Sequence, residues 1–320
     1  MILRLAHVVV AVDDLDEAHA FYVDVLGFVE AHRDSGALYL RAAEEFDIWS
    51  LALVKAGPGG ILHTAFRVSS PDDLDRLEST HARIGAPSQR VAAGAEPGVG
   101  EVLRVLTPDG HAVEFVHEID EIDPHDPDGK LRLPMRNLNI NHGAPPSRLD
   151  HVSLRVANVP ESLPYWIGEL DFSVSEYWLG EGDVPHVAWV RRTTTAHDIA
   201  LGTNGEPAFH HFAYAVSEPT TLTRAADLLG DARLAPNLEW GPARHGATNA
   251  FAMYIRDPWG NRLELFTGDY ARDLDRPPLS WRVQDYLVQG HSWWGHQAPP
   301  SFGETRPLLQ DGWLKSPVAS

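Results

Sequence analysis

Three side chains in the second half of the chain have the types that a metal site needs: His151, His211 and Glu264. Two imidazoles and one carboxylate on one face of an octahedral metal leave positions open. That is the arrangement of oxygen-activating Fe(II) sites. Each of the three falls in a short apolar run: RLDHVSLRV (148–156), FHHFAYAV (209–216) and NRLELF (261–266). The period-two alternation of His151–Val156 predicts a half-buried strand. Asp-Pro-Trp-Gly (257–260) predicts a tight turn before the third run. Three neighbouring strands would bring the three side chains to one point. The chain has no cysteine, which excludes disulfides, a thiolate nucleophile and Cys-held zinc or iron–sulfur centres.

The same trio occurs earlier as His7, His63 and Glu114, in RLAHVVVAV (4–12), ILHTAFRV (61–68) and TPDGHAVEFV (107–116). The nearly constant interval between matched residues marks an internal duplication. Each copy reads as a strand, a helix (Leu15–Leu26 and Pro160–Leu170), further strands, then a second helix and more strands. A stretch rich in acids, Pro and Gly near 119–147 separates the copies. Spacing alone does not assign the metal to one copy. The second copy adds His197, His245 and Tyr254. Aligning the copies sets His197 opposite Phe46 and Tyr254 opposite Arg104, with no first-copy His at the place of His245. Histidine titrates near neutrality and can carry a proton, and a tyrosine hydroxyl can donate to a reacting oxygen.

The rest of the composition narrows the field. A length of 320 residues fits about two domains. The net charge of −19 disfavours a nucleic-acid partner. No apolar run reaches the ~18–20 residues of a membrane span. The opening MILRLAHVVVAV is broken by Arg4 and His7 and reads as a strand, so a soluble cytoplasmic protein is expected. Gly57–Gly60 lacks the Lys-Ser/Thr of a phosphate loop. The acids of 13–17 suit a helix N-terminus, and those of 119–128 read as a linker. Trp49, Trp166, Trp178 and Trp281 read as packing residues.

With these motifs in place, the chain resembles the type I extradiol ring-cleaving dioxygenases of the vicinal oxygen chelate superfamily, and most of all their homoprotocatechuate (3,4-dihydroxyphenylacetate) 2,3-dioxygenase branch. The likeness covers about residues 1–300. It rests on FYVDVLGF (21–28), LYLRAAEEF (38–46), RLDHVSLRV (148–156), HDIAL (197–201), HHFAYAV (210–216), GPARHG (241–246), YIRDPWGNRLELFTGDY (254–270) and SWWG (292–295). The resemblance implies an α+β fold of tandem βαβββ modules. It divides the chain into a structural domain (1–135), a catalytic metal-binding domain (145–270) and a tail (271–320) that acts as a lid around Trp293 and Trp294. It implies Fe(II), or Mn(II), on His151, His211 and Glu264. His197 would be the acid–base residue, Tyr254 a donor to a substrate or reacting oxygen, His245 a contact of the bound catecholate and Trp189 a wall of the pocket. The partners implied are a catechol and O2, in a homo-oligomer, a tetramer by resemblance. A complete trio in the first copy is unusual for this family.

Other positions depart from the homoprotocatechuate pattern. Ser153 stands where an Asn is usual, Trp240 where an Arg precedes Gly-Pro-x-Arg-His-Gly, and Gly290 and His291 where two Arg precede Trp-Trp. Arginine recognises carboxylates bidentately, so its loss predicts a neutral or apolar catechol, though 3,4-dihydroxyphenylacetate stays in view. Ser153, Trp240, Arg244 and His291 are then expected to contact substrate. Two other readings compete: a glyoxalase-like isomerase or lyase drawing ligands from both copies, and a metal-free small-molecule binding protein.

Overall fold

The computed structural model describes residues 1–125, 142–271, 275–310 and 313–314. Most of the expected boundary between the copies therefore lies outside the described residues. The first copy supplies β1 (Ile2–Val12), β2 (Val29–Arg33), β3 (Ala37–Arg41), β4 (Leu51–Lys55), β5 (Ile61–Val68), β6 (Ser88–Val91), β7 (Val102–Leu106) and β8 (Ala112–Val116). The second supplies β9 (Arg148–Val156), β10 (Ser173–Leu179), β11 (Pro185–Arg191), β12 (Ile199–Thr203), β13 (Ala208–Ala215), β14 (Leu238–Arg244), β15 (Phe251–Arg256) and β16 (Arg262–Thr267). A helix follows the first and fifth strand of each copy: α1 (Leu15–His19), α2 (Pro71–Ile84), α3 (Val159–Leu163) and α4 (Pro219–Asp231). Each copy is thus two βαβββ modules. Both α1 and α3 run on into a π-helical turn, Ala20–Val25 and Pro164–Glu169. Together they fill the two helices expected from the apolar spacing.

The first sheet has the order β2-β3-β4-β1-β5-β8-β7-β6. The second repeats it as β14-β15-β16-β13-β9-β12-β11-β10, and a tail strand, β17 (Leu279–Arg282), extends it beside β10. In both sheets the strands carrying the trio are neighbours: β1, β5 and β8, then β9, β13 and β16. Strand periodicity sorts their side chains. Val152, Leu154 and Val156 enter the main core, which leaves His151, Ser153 and Arg155 for the other face.

That core is shared by both copies, with Phe66, Phe115, Trp166, Phe172 and Phe212 among its members. Polar links cross the same junction. Tyr22 donates to Asp257 (3.0 Å), Ser50 pairs with Tyr214 (2.8 Å), and Glu45 accepts from the Leu149 N–H (2.7 Å). Asp14 caps α1 by accepting from the N–H groups of Asp16 and Glu17, as the acidic run predicts. Among the described residues no helix is long and apolar enough to cross a membrane.

Candidate active site and metal centre

His151, His211 and Glu264 are all buried and bring one ligand atom each to a common point, within 4.8 Å of one another. Glu264 Oε2 lies 3.2 Å from His151 Nε2 and 3.1 Å from His211 Nε2. The turn expected before Glu264 is present. Asp257 accepts from the N–H groups of Trp259 and Asn261, and Gly260 takes φ +82°. A side chain at Gly260 would strike the Arg306 guanidinium from the tail.

The second nitrogen of each imidazole is engaged. His151 Nδ1 donates to Asp150 Oδ1 (3.0 Å). His210 Nε2 lies 2.8 Å from the Phe302 carbonyl, which can only accept, so that nitrogen carries the proton. His210 Nδ1 must then accept from His211 Nδ1, 2.7 Å away. His211 Nε2 is left with a bare lone pair facing the Glu264 carboxylate, and it has no hydrogen-bond partner. Two acceptors held face to face in a buried site fit a cation between them. The residues present therefore suit the divalent metal that the donor set implies. A β-bulge between Phe209 and His211 is what brings two successive histidines together.

Charge states follow the geometry. Burial opposes charge on His151, but Asp150 and Glu264 outweigh it and push its pKa up to about 9. Burial lowers His211 to about 4. Burial also opposes charge on Glu264, yet the two facing imidazoles hold its carboxyl well below the usual range.

A cavity of roughly 380 Å³ opens on the trio. Ser153, Trp189, His197, His245, Tyr254 and His291, all singled out in the sequence, line it. The His197 ring packs 3.9 Å from that of His151, its Nδ1 has no hydrogen-bond partner, and burial first, then His151, keeps it neutral. His245 Nδ1 donates to the His291 carbonyl (2.6 Å), so its Nε2 accepts from the Tyr254 hydroxyl (2.9 Å). Burial lowers the His245 pKa and raises that of Tyr254 well above its ordinary value, which keeps both neutral.

Four expectations need correction. Trp240 is not a cavity wall: it is buried behind Tyr254 and His291, stacked on both (centroids 5.2 and 4.9 Å). Arg244 does not face the cavity either. Its guanidinium donates to the Asn249 carbonyl and lies over Phe251, tying surface loops together. Trp293 and Trp294 are half exposed, and the tail residues that close the cavity are Tyr286, Leu287, His291 and Phe302. The first-copy counterpart of His197 is Trp49, not Phe46. The register pairs Val152 with Ile199 and Val8 with Leu51, so His197 and Trp49 each sit two residues before a matched position. Tyr254 and Arg104 do correspond, each opposite its copy's glutamate.

Sequence reasoning missed several participants. Asp150 stands directly before His151 and His210 directly before His211, so adjacency was the available signal. Arg155 lies in the RLDHVSLRV run and reaches the cavity through strand alternation, while Tyr286 and Phe302 carry no motif and reach it through the path of the tail. The two trios gather separately, each on its own sheet. Among the described residues no metal-type cluster draws ligands from both copies, which removes the basis for the two-copy isomerase reading.

The sequence signature of the Glyoxalase/Bleomycin resistance protein/Dioxygenase superfamily matches residues 4–115 and 148–265. A manganese-dependent 2,3-dihydroxybiphenyl 1,2-dioxygenase of Geobacillus genomosp. 3 is 30% identical over 306 residues, covering 93% of this chain and 96% of that protein. A metapyrocatechase of Geobacillus stearothermophilus is 31% identical, covering 94% and 92%. Homoprotocatechuate 2,3-dioxygenase from Brevibacterium fuscum, solved as an anaerobic complex with 3,4-dihydroxyphenylacetate, superposes with a TM-score of 0.89 at 34% identity, covering 97% and 94%. The chain belongs to the Glyoxalase/Bleomycin resistance protein/Dioxygenase superfamily and, within it, to the extradiol catechol dioxygenases.

Proposed function

We propose that this chain opens the ring of a neutral or apolar catechol with O2, at Fe(II) held by His151, His211 and Glu264, with Mn(II) the second candidate. Cleavage falls beside the two hydroxyls and gives a ring-opened semialdehyde. One observation carries the reading: the trio shares a single cavity with a neutral His197 and the Tyr254–His245 pair. A divalent metal held by His151, His211 and Glu264 would supply Lewis-acid activation of the vicinal diol and electronic coupling of the electron-rich ring to O2.

The chain's own residues handle protons and fit. His197, uncharged and with a free Nδ1, takes a proton from a catechol hydroxyl and returns one to the product oxygen. Tyr254 offers its hydroxyl to a substrate oxygen, and His245, fixed by the His291 carbonyl, orients that hydroxyl. Val187, Trp189, Ala200 and Tyr286 form an apolar wall for the ring. Leu287, Val288, Trp293 and Trp294 are exposed on the tail, which supports the homo-oligomer implied by resemblance. The test is oxygen uptake by Fe(II)- or Mn(II)-loaded protein with catechol, 3- and 4-methylcatechol, 2,3-dihydroxybiphenyl and 3,4-dihydroxyphenylacetate. One O2 consumed per substrate with a yellow product supports the proposal. No uptake at confirmed metal occupancy overturns it.

Arg155 favours a second reading, a catechol with a carboxylate on its substituent. Its guanidinium lines the cavity and lies over Gly202, where an added Cβ would come within 2.2 Å of Nη1. Among the described residues it has no hydrogen-bond or ion-pair partner. Burial lowers its pKa only to about 10, so it stays charged at neutral pH. An Arg155→Met variant separates the readings. Selective loss of 3,4-dihydroxyphenylacetate turnover, with 4-methylcatechol unaffected, selects the carboxylated substrate.

A further inference from the structure

The first copy is more than a scaffold around a degenerate site. His7, His63 and Glu114 converge as their counterparts do, and a fourth group joins them: Glu96, from the loop between β6 and β7. Glu96 Oε2 lies 3.5 Å from His7 Nε2, and its Oε1 lies 3.4 Å from His63 Nε2. Glu114 Oε2 stands 3.8 Å from His7 Nε2 and 3.6 Å from His63 Nε2. His7, His63 and Glu114 are at most 4% exposed. His7 Nε2, His63 Nε2, Glu96 Oε2 and Glu114 Oε2 all lack a hydrogen-bond partner. Leaving such groups unpaired costs about 1–3 kcal/mol each, and more when charged. Four of them aimed at one point in a buried nest leave room for a cation between them.

The surroundings hold this constellation in place. Trp49 packs on the His7 ring (4.3 Å) and donates its indole N–H to the Pro97 carbonyl (2.7 Å), fixing the loop next to Glu96. Trp313, from the tail, covers the His63 ring at 4.8 Å. Arg104 donates to the other oxygen of Glu114 (2.7 Å) and lies over Trp313. The Glu114 oxygen that faces the histidines is thereby left free.

Chemistry and size identify the occupant. Two imidazole ligands and two carboxylates bring a ligand charge of −2, the complement of one divalent cation, and Arg104 meets Glu114 on the oxygen outside that set. Ligand bonds of about 2.1 Å place tetrahedral donors roughly 3.4 Å apart and octahedral neighbours roughly 3.0 Å apart. The 3.4–3.8 Å separations lie on the tetrahedral side, whereas those around Glu264 are 3.1–3.2 Å. Glu96 comes from the loop that in the second copy carries His245, and it fills the position kept open there. Trp49 and Arg104 replace the proton-handling His197 and Tyr254. A closed set of four ligands with no acid–base group beside it is a structural site.

We propose that the first copy binds a second divalent metal, of the Zn(II) type, through His7, His63, Glu96 and Glu114, and that this ion braces the sheet, the 92–101 loop and the tail without taking part in ring cleavage. His7 Nδ1 has no partner, unlike His151 Nδ1 on Asp150, so this ion should leave before the catalytic one in a chelator titration.

Metal content tests the proposal independently of turnover. The full-length chain is dialysed against Zn(II), and bound metal is measured beside circular dichroism to check folding. Two equivalents are expected in the wild type, one in His63→Ala, one in the milder loop variant Glu96→Gln, and one in His211→Ala. Co(II) loaded into His211→Ala should give the strong visible absorption of a four-coordinate ion, and adding Glu96→Gln should remove it. One equivalent in the wild type with none in His211→Ala overturns the proposal, as does a Co(II) spectrum unchanged by Glu96→Gln. The catalytic reading survives either result.

Discussion

The Nδ1 atoms of His210 and His211 lie 2.7 Å apart. Because the Phe302 carbonyl accepts the single ring proton of His210, on Nε2, this contact decides the tautomer of His211. A tail residue thus prepares a metal ligand from outside the sheet. His210→Leu removes the acceptor and leaves His211 free to carry its proton on Nε2. Partners of this kind are worth about 10–100-fold in metal affinity. Competition with a chromophoric chelator should register a loss of that size at the second-copy site, and an unchanged affinity would refute the relay.

Metal uptake should expel protons. In the metal-free chain the His151 pKa is raised from 6.5 to about 9, so at pH 7 the ring is charged. A ligand must be neutral, so binding displaces about one proton, and affinity should climb roughly tenfold per unit between pH 7 and 9. The sign for stability is the reverse. A raised histidine pKa contributes stability that is complete below 6.5 and is lost as pH rises through about 9. Metal-free protein should therefore melt at lower temperature at pH 9 than at pH 6.5. Asp150→Asn should reduce both the proton release and this slope, and indicator titration in weak buffer reads the first directly.

His197 separates chemistry from metal binding. It touches the ring of His151 but offers no ligand atom to the metal cluster. His197→Phe should keep wild-type metal content and lower turnover by about 10²–10⁴-fold, the range typical of a positioned acid–base group. Wild-type turnover across the pH range would remove it from the mechanism.

The second-copy site was legible because its chemistry sits on strands whose alternation survives in the sequence. His151, His211 and Glu264 are each flanked by the apolar residues that bury the opposite face. Repeat-equivalent spacing then told one trio from scattered histidines. Among the tail's contacts His291 was legible, from its place before Trp-Trp, but the others were not, because residues 275–310 follow no repeat and only their path brings Tyr286 and Phe302 inward while leaving Trp293 outward. Trp240 misled for a related reason. An aromatic at a family arginine position suggests a cavity wall, but the flat faces of Tyr254 and His291 claimed it for stacking. Glu96 escaped notice because its Gly-rich loop shares no sequence with the His245 loop that it matches in the fold.

The first copy also holds the turn that carries Glu264. Asn261 is fully buried, three residues before that ligand. Its Oδ1 accepts from the Gly60 N–H (2.8 Å), and its Nδ2 donates to the Ala11 carbonyl (2.9 Å). Asn261→Ala strands both backbone groups away from water, at about 1–3 kcal/mol each. Tyr22→Phe is the milder comparison, because Asp257 keeps its bonds from Asn261 when the Tyr22 hydroxyl is lost. The expected order in thermal melting is wild type, then Tyr22→Phe, then Asn261→Ala several degrees lower. If the junction positions Glu264 as well as stabilising the fold, folded Asn261→Ala should also bind the catalytic metal more weakly, and Tyr22→Phe should not. Equal melting temperatures for all three proteins would mean that the second copy forms this turn without help from the first.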